Sequence, residues 1–516
     1  MIKKNAIKEE ATKKAIHDEM VTIYKEKEKM NECNQDILIP IKKNPEEKIK
    51  IQQDFNETFS KLNSTDMAII NESISKCIYL AQYNIDITHQ NLEFILELAF
   101  RLGRNNELYG KILSYASYIL LTRPFLGSAI IDSEIMSQYI QLLYNPMNEF
   151  EIKFMDNFFA TSIDVFRSAI SNFNFVERIV QCMNDPAIPA NDFLNLLRIV
   201  TGFIKSYPMR NQVDPKIIDF IGDISLFLFN TIVRRFIYSD NELIFGEICH
   251  LYMLILEDST KNEFYQFLLS NGQPENHNPQ IGIDDLLLER LKTLNHSKFC
   301  SYVIGIFLNF SSSAVISYAQ QLYQRGILPK FQAVLSFITG ELNAILLLQT
   351  IQNFFYLGKE VSITIILEIA SSNFTNLALK LLKEGGFPAK KAAINYFCGL
   401  CSFTKDQNIQ NLIVQQNIIS ELMEFIDIPD PKIWHEILVA LYKNCQAAYS
   451  SGVEESNLFD HPLFQSIDVN DFYRSLCKIK ETIDERKEKK ENYNIELDTN
   501  VLYFLDLIND NMDISD

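Results

Sequence analysis

Apolar residues recur with helical spacing from about Ile51 to about Cys477, in blocks of roughly 10–18 residues separated by short polar breaks. That pattern predicts a chain built almost entirely of helices. Residues 1–50 read differently. Lys3, Lys4, Lys8, Lys13, Lys14, Lys25, Lys27 and Lys29 alternate there with Glu9, Glu10, Asp18, Glu19, Glu26 and Glu28. Such a stretch has too little apolar surface to bury, so it reads as a charged N-terminal arm or an exposed helix. After residue 477 comes a mixed-charge run, KIKETIDERKEKKEN, then the apolar patch VLYFLDLI (501–508). Residues 478–516 therefore read as C-terminal capping helices with an acidic tail. The intervening 51–477 reads as one repeat solenoid.

The apolar blocks repeat. A small residue followed by an apolar one opens a helix at Gly282 (GIDDLLLERL), Gly326 (GILPKFQAVL), Asn373 (NFTNLALKLL) and Asn417 (NIISELMEFI), at intervals of 44, 47 and 44. A second helix carries a small or amide residue near its end: VIGIFLN to Asn309, LLQTIQN to Asn353, INYFCGL around Gly399, and LVALYKN to Asn444. These intervals are 44, 46 and 45. The two patterns keep a phase of 27, 27, 26 and 27 residues, and an upstream copy from Asn174 to Gly202 gives 28. Asn172 (SAISN) reads as one more copy in the less regular first third. Glycine or asparagine between two helices suggests a left-handed turn. Pro329 falls in a first helical turn, where its missing N–H costs little. Units of this kind bury their apolar faces by stacking, and the period lies in the armadillo/HEAT range. The expected fold is all-α, an armadillo/HEAT-type right-handed superhelical solenoid of roughly eight to ten repeats.

Composition narrows the function. Glycine (16) and proline (15) are scarce among 516 residues, which argues against a turn-rich sandwich or barrel. The net charge is -18, so direct nucleic-acid binding would work against the field, while cationic partners would be attracted. No uncharged run reaches the roughly 18–20 residues of a membrane span, so no membrane insertion is expected. The start MIKKNAIKEEATKKAI has no apolar core and is not a secretory signal. Nine scattered cysteines without framework spacing suggest a reducing compartment.

GILPKFQAVLSF, followed 27 residues after its glycine by Asn353, resembles the armadillo repeat. The stretches IISELMEFIDIPDPKIWHEILVALYKN (418–444) and FSSSAVISYAQQLYQRGILPKF (310–331) resemble repeats of the importin-α family. The resemblance implies a concave groove that binds extended, Lys/Arg-rich segments of cargo proteins in the cytoplasm and carries them to the nucleus. Asparagines on third helices would hold the guest backbone, at Asn172, Asn309, Asn353 and Asn444. Gly202 and Gly399 interrupt that series. The arm with Lys3, Lys4, Lys13 and Lys14 occupies the place of the family's importin-β-binding segment, although no arginine precedes Arg101. Tryptophans that the family sets four residues before each asparagine are here Ser168, Gly305, Gln349 and Ala440, and the single tryptophan is Trp434.

Each feature also has a plainer reading. The asparagines could be buried amides tying third helices together, and the lysine arm could be simply solvated. The alternative function is accordingly a divergent armadillo/HEAT scaffold that assembles proteins without transport. Cys398-Gly-Leu-Cys401 is a lone CxxC in an apolar helix and reads as core packing. There is no phosphate loop, GxSxG elbow or HExxH. No catalytic residue, cofactor or metal is expected, and the chain reads as a binding protein, not an enzyme.

Overall fold

The structure, a computed structural model, describes residues 45–81, 83, 85–142, 148–159, 165, 175–205, 215–258, 262–270, 282–312, 316–489 and 493–511. Lys3, Lys4, Lys13, Lys14 and Asn172 lie outside the described residues. Among the described residues the regular elements are all helices. The chain divides into two units, residues 1–264 and 265–516.

In the first unit, α1 is Pro45–Ser60, α2 Met67–Leu80, α3 His89–Leu102, α4 Glu107–Thr122, α5 Phe125–Ile130 and α6 Glu134–Leu142. These are followed by α7 (Glu149–Phe159), α8 (Phe175–Met183), α9 (Ala190–Lys205), α10 (Pro215–Leu228) and α11 (Glu242–Asp258). Thr88 and Asn91 form a capping box that starts α3, and the Asn106 side chain caps α4. Helices α4, α7, α9 and α11 pack one against the next. A buried carboxylate ties the first two repeats together. Glu151 on α7 accepts from Arg104 Nε at 2.6 Å and from the Tyr109 hydroxyl.

α12 (Asn262–Leu269) spans the boundary between the units. The second unit then runs α13 (Ile283–Leu291), α14 (Ser297–Ser311), α15 (Ile316–Gln324), α16 (Ile327–Val334) and α17 (Glu341–Glu360). It continues through α18 (Ile363–Ala370), α19 (Asn373–Glu384), α20 (Phe387–Cys401), α21 (Gln407–Gln415), α22 (Ile418–Met423) and α23 (Pro431–Ser450). α24 (Val469–Glu488) and α25 (Ile495–Asn511) close it. Each repeat is two short helices and one long third helix. The long helices α14, α17, α20 and α23 pack in sequence, and α25 packs on α23. They start at 297, 341, 387 and 431, so the repeat is 44, 46 and 44 residues. The chain is thus an all-α helical-repeat solenoid of the armadillo/HEAT type. Within the second unit the core passes from repeat to repeat, because buried Leu347, Leu348, Ile351 and Phe354 of α17 recur as Ala393, Ile394, Phe397 and Leu400 of α20. Full burial of such a large apolar side chain contributes roughly 1.5–3 kcal/mol.

Two of the four expected turns are left-handed. Gly326 has φ 72° and Asn417 has φ 53°. The other two differ. Gly282 is extended, at φ -67°, and Asn373 is the first residue of α19, where the Ser372 side chain accepts from Phe374 N. A serine cap there starts the second helix without reversing the backbone.

Beside Gly282 lies a buried ionic link between repeats. Asp284 on α13 is completely buried. It accepts from Arg325 Nη2 at 2.6 Å, Arg325 Nε at 3.1 Å and Lys330 Nζ at 3.1 Å. Burial alone would push the Asp284 pKa up, but its bonds to Arg325 and Lys330 outweigh that and hold it below the usual carboxylate range.

Candidate peptide-binding wall

The third helices of the second unit share one exposed stripe. Counted from the first residue of each helix, positions 2, 6, 9, 13 and 16 form a single helical face. In α14 these are Lys298, Tyr302, Gly305, Asn309 and the adjoining Ser312. In α17 they are Leu342, Leu346, Gln349, Asn353 and Tyr356. In α20 they are Pro388, Ala392, Asn395, Gly399 and the adjoining Ser402, and in α23 they are Lys432, Glu436, Val439, Lys443 and Gln446. Most of them are exposed or half-buried, whereas position 14 (Phe310, Phe354, Leu400, Asn444) is buried in all four helices.

This register separates the predicted asparagines. Asn309 and Asn353 occupy position 13 and face the wall. Asn444 occupies position 14, one residue or about 100° further around the helix. It is 0% exposed and donates its Nδ2 to the Ala440 carbonyl at 3.0 Å. It therefore offers no surface to a guest chain. Lys443 stands in its row instead, and the sequence reading missed it. Gly399 completes the row because there is no room for more. A Cβ there would lie 2.6 Å from the Phe355 ring of α17.

The amides also fasten neighbouring helices. Asn353 donates Nδ2 to Ser311 Oγ at 2.9 Å, across from α17 to α14. Its Oδ1 has no partner among the described residues, so the residue can hold its neighbour and still accept a bond from a guest N–H. In the first unit Asn157 of α7 donates to Ser117 Oγ of α4 in the same way. Two further ties went unread in the sequence. Asn343 donates to Ser297 Oγ at 3.0 Å and Thr339 O at 2.7 Å, and Gln352 donates to Ala392 O at 2.8 Å. Only the repeat register, which pairs residues roughly one period apart, could have exposed them.

Trp434 is position 4 of α23, off the stripe and 6% exposed, and its Nε1 is buried without a hydrogen-bond partner. It is a core residue here. The accessible apolar groups of the wall are instead Tyr356 (61% exposed) and Leu342 (41%), with the half-buried Leu346. Its charged groups are Lys298, Lys432, Lys443 and Glu436. Lys298 lies 5.5 Å over the Tyr302 ring.

Elsewhere, Cys398 and Cys401 are buried, and burial pushes the Cys401 thiol up to about 12. Such a thiol stays protonated and packs as a small apolar group. Among the described residues no group of three or more His, Cys, Asp or Glu side chains is arranged to hold a metal. No helix among them is by itself long and apolar enough to cross a membrane. His250 contacts Glu247 Oε2 through Nδ1 at 3.3 Å, and Arg198 approaches the same carboxylate at 3.6 Å.

No protein-family model matches this sequence, and no curated protein matches it. Solved structures do resemble the fold. An engineered protein shares 13% identity over 88% of this chain and 99% of its own, with a TM-score of 0.52. At that identity the likeness is one of fold. A chain from a study of the phosphorylation switch between cadherin and β-catenin shares 12% identity over 89% of this chain and 94% of its own, at TM-score 0.43. UNC-45 from Drosophila melanogaster shares 11% over 88% of this chain and 62% of its own, at TM-score 0.35.

Proposed function

We propose that this protein is a non-catalytic scaffold that binds an extended segment of a partner protein along the third-helix wall of its second unit. The observation that carries the reading is the register itself. Four successive helices present one aligned stripe with exposed apolar groups, Leu342 and Tyr356, and wall-facing amides, Asn309, Asn353 and Asn395. Side-chain amides offer both donor and acceptor to a peptide backbone, and apolar groups supply the area that holds side chains.

An importin-α-like adaptor, moving between cytoplasm and nucleus and captured by importin-β through Lys3, Lys4, Lys13 and Lys14, is the narrower form of this proposal. It calls for a wall that attracts lysine and arginine. The stripe has one carboxylate, Glu436, and no tryptophan, which favours the broader scaffold. The test is affinity purification with the wild-type chain and with Leu346→Glu/Tyr356→Glu. Specific partners should disappear from the variant while its melting temperature holds. Partners retained in full would refute the wall. Recovery of importin-β, lost on deleting residues 1–44, would restore the adaptor form.

A further inference from the structure

Resting on that reading, we propose that the guest segment carries carboxylates at both ends and apolar side chains between them, the opposite charge to a nuclear-localisation peptide. The stripe's charges are Lys298, Lys432 and Lys443 against Glu436 alone, and among the described residues none of the three ammonium groups has an ion-pair partner. A net positive wall in a chain of net charge -18 is a local reversal of sign. It would draw an acidic segment and repel a basic one. The placement gives the pattern. Lys298 and Lys432 share position 2 on the first and last of the four helices, and Lys443 lies three rows along the last one, at position 13. Neighbouring helices pack about 8–10 Å apart, so three steps cover roughly 24–30 Å. An extended chain advances about 3.3–3.6 Å per residue, so roughly seven to nine residues reach from end to end. Between the lysines stand Leu342, Leu346 and Tyr356, with no charged residue of α17 on the middle of the stripe. The middle of the guest is therefore apolar.

The experiment pans a random 12-residue peptide library on the full chain, then measures the selected peptides by fluorescence anisotropy. The expected peptides are acidic, with leucine or aromatic residues between the acids, and their affinity falls as salt rises. Lys298→Gln/Lys432→Gln/Lys443→Gln should weaken them about tenfold and flatten the salt dependence. Tyr356→Ala should weaken them without changing the salt dependence. Both variants alter exposed positions, and their melting curves check that they fold. Peptides that need Tyr356 but are neutral or basic would overturn the charge assignment and leave the wall standing. A set indifferent to Tyr356 would overturn the wall itself. Displacement of the peptides by a single-stranded oligonucleotide at low concentration would also overturn the proposal, marking the lysines as a phosphate site.

Discussion

The Asn353 side chain on one third helix donates to the Ser311 hydroxyl on the preceding one at 2.9 Å, joining two repeats 42 positions apart in sequence. A tie of this kind is half buried and couples neighbouring modules, as solenoid stability requires. Asn353→Ala and Ser311→Ala should each cost about 0.5–1.5 kcal/mol, and the double variant should cost less than their sum. Denaturant unfolding of the four proteins checks it. Additive losses would show that the two groups do not act as a pair.

Asp284 gives a pH prediction. Arg325 and Lys330 hold its folded pKa below the unfolded value of about 3.9. A depressed carboxylate contributes stability that is present above the unfolded pKa and is lost as pH falls through the folded one. Asp284→Asn leaves Arg325 and Lys330 facing a neutral group and should cost about 3–5 kcal/mol at pH 7. Its deficit should shrink below about pH 4, where the unfolded wild-type chain takes up the proton that folded Asp284 still resists, and should go on shrinking as pH falls towards the folded pKa. Melting temperatures between pH 3 and 7 report this. A deficit independent of pH would contradict the ion-pair origin.

Gly399 can be tested by completing the amide row. Gly399→Asn would restore the series Asn309, Asn353 and 399, but its Cβ would enter the Phe355 ring. Overpacking of this sort costs typically 1–3 kcal/mol, so the variant should melt lower and should not bind peptide better. A variant of unchanged melting temperature would mean that α17 and α20 separate without cost.

Asn417 is the one non-glycine residue with positive φ among the described residues. Asn417→Gly should be tolerated. Asn417→Val should lose roughly 1–2 kcal/mol, because a β-branched side chain resists that conformation. Equal stability of the two variants would show that the α21–α22 turn can change its backbone.

The repeats were legible because period and phase survive in the apolar pattern, and the third-helix starts at 297, 341, 387 and 431 fall where it places them. The turns were half legible. Gly326 and Asn417 are left-handed, but a small residue before an apolar one marks a serine-capped start equally well, as at Asn373. The candidate site was legible only to within one residue. Position 13 and position 14 look alike as letters, yet they differ by more than a quarter of a turn around the helix, about 100°, which exchanged exposed Lys443 for buried Asn444. Pairs such as Asp284 with Arg325 were not legible, because nothing local connects residues 41 positions apart.

The most direct measurement places a photo-cross-linking amino acid at 349 on the wall, and at 380 on the exposed side of α19, in otherwise wild-type protein. With a labelled peptide from the selected set, the account predicts cross-linking from 349 and none from 380. Efficient cross-linking from 380 with none from 349 would contradict it.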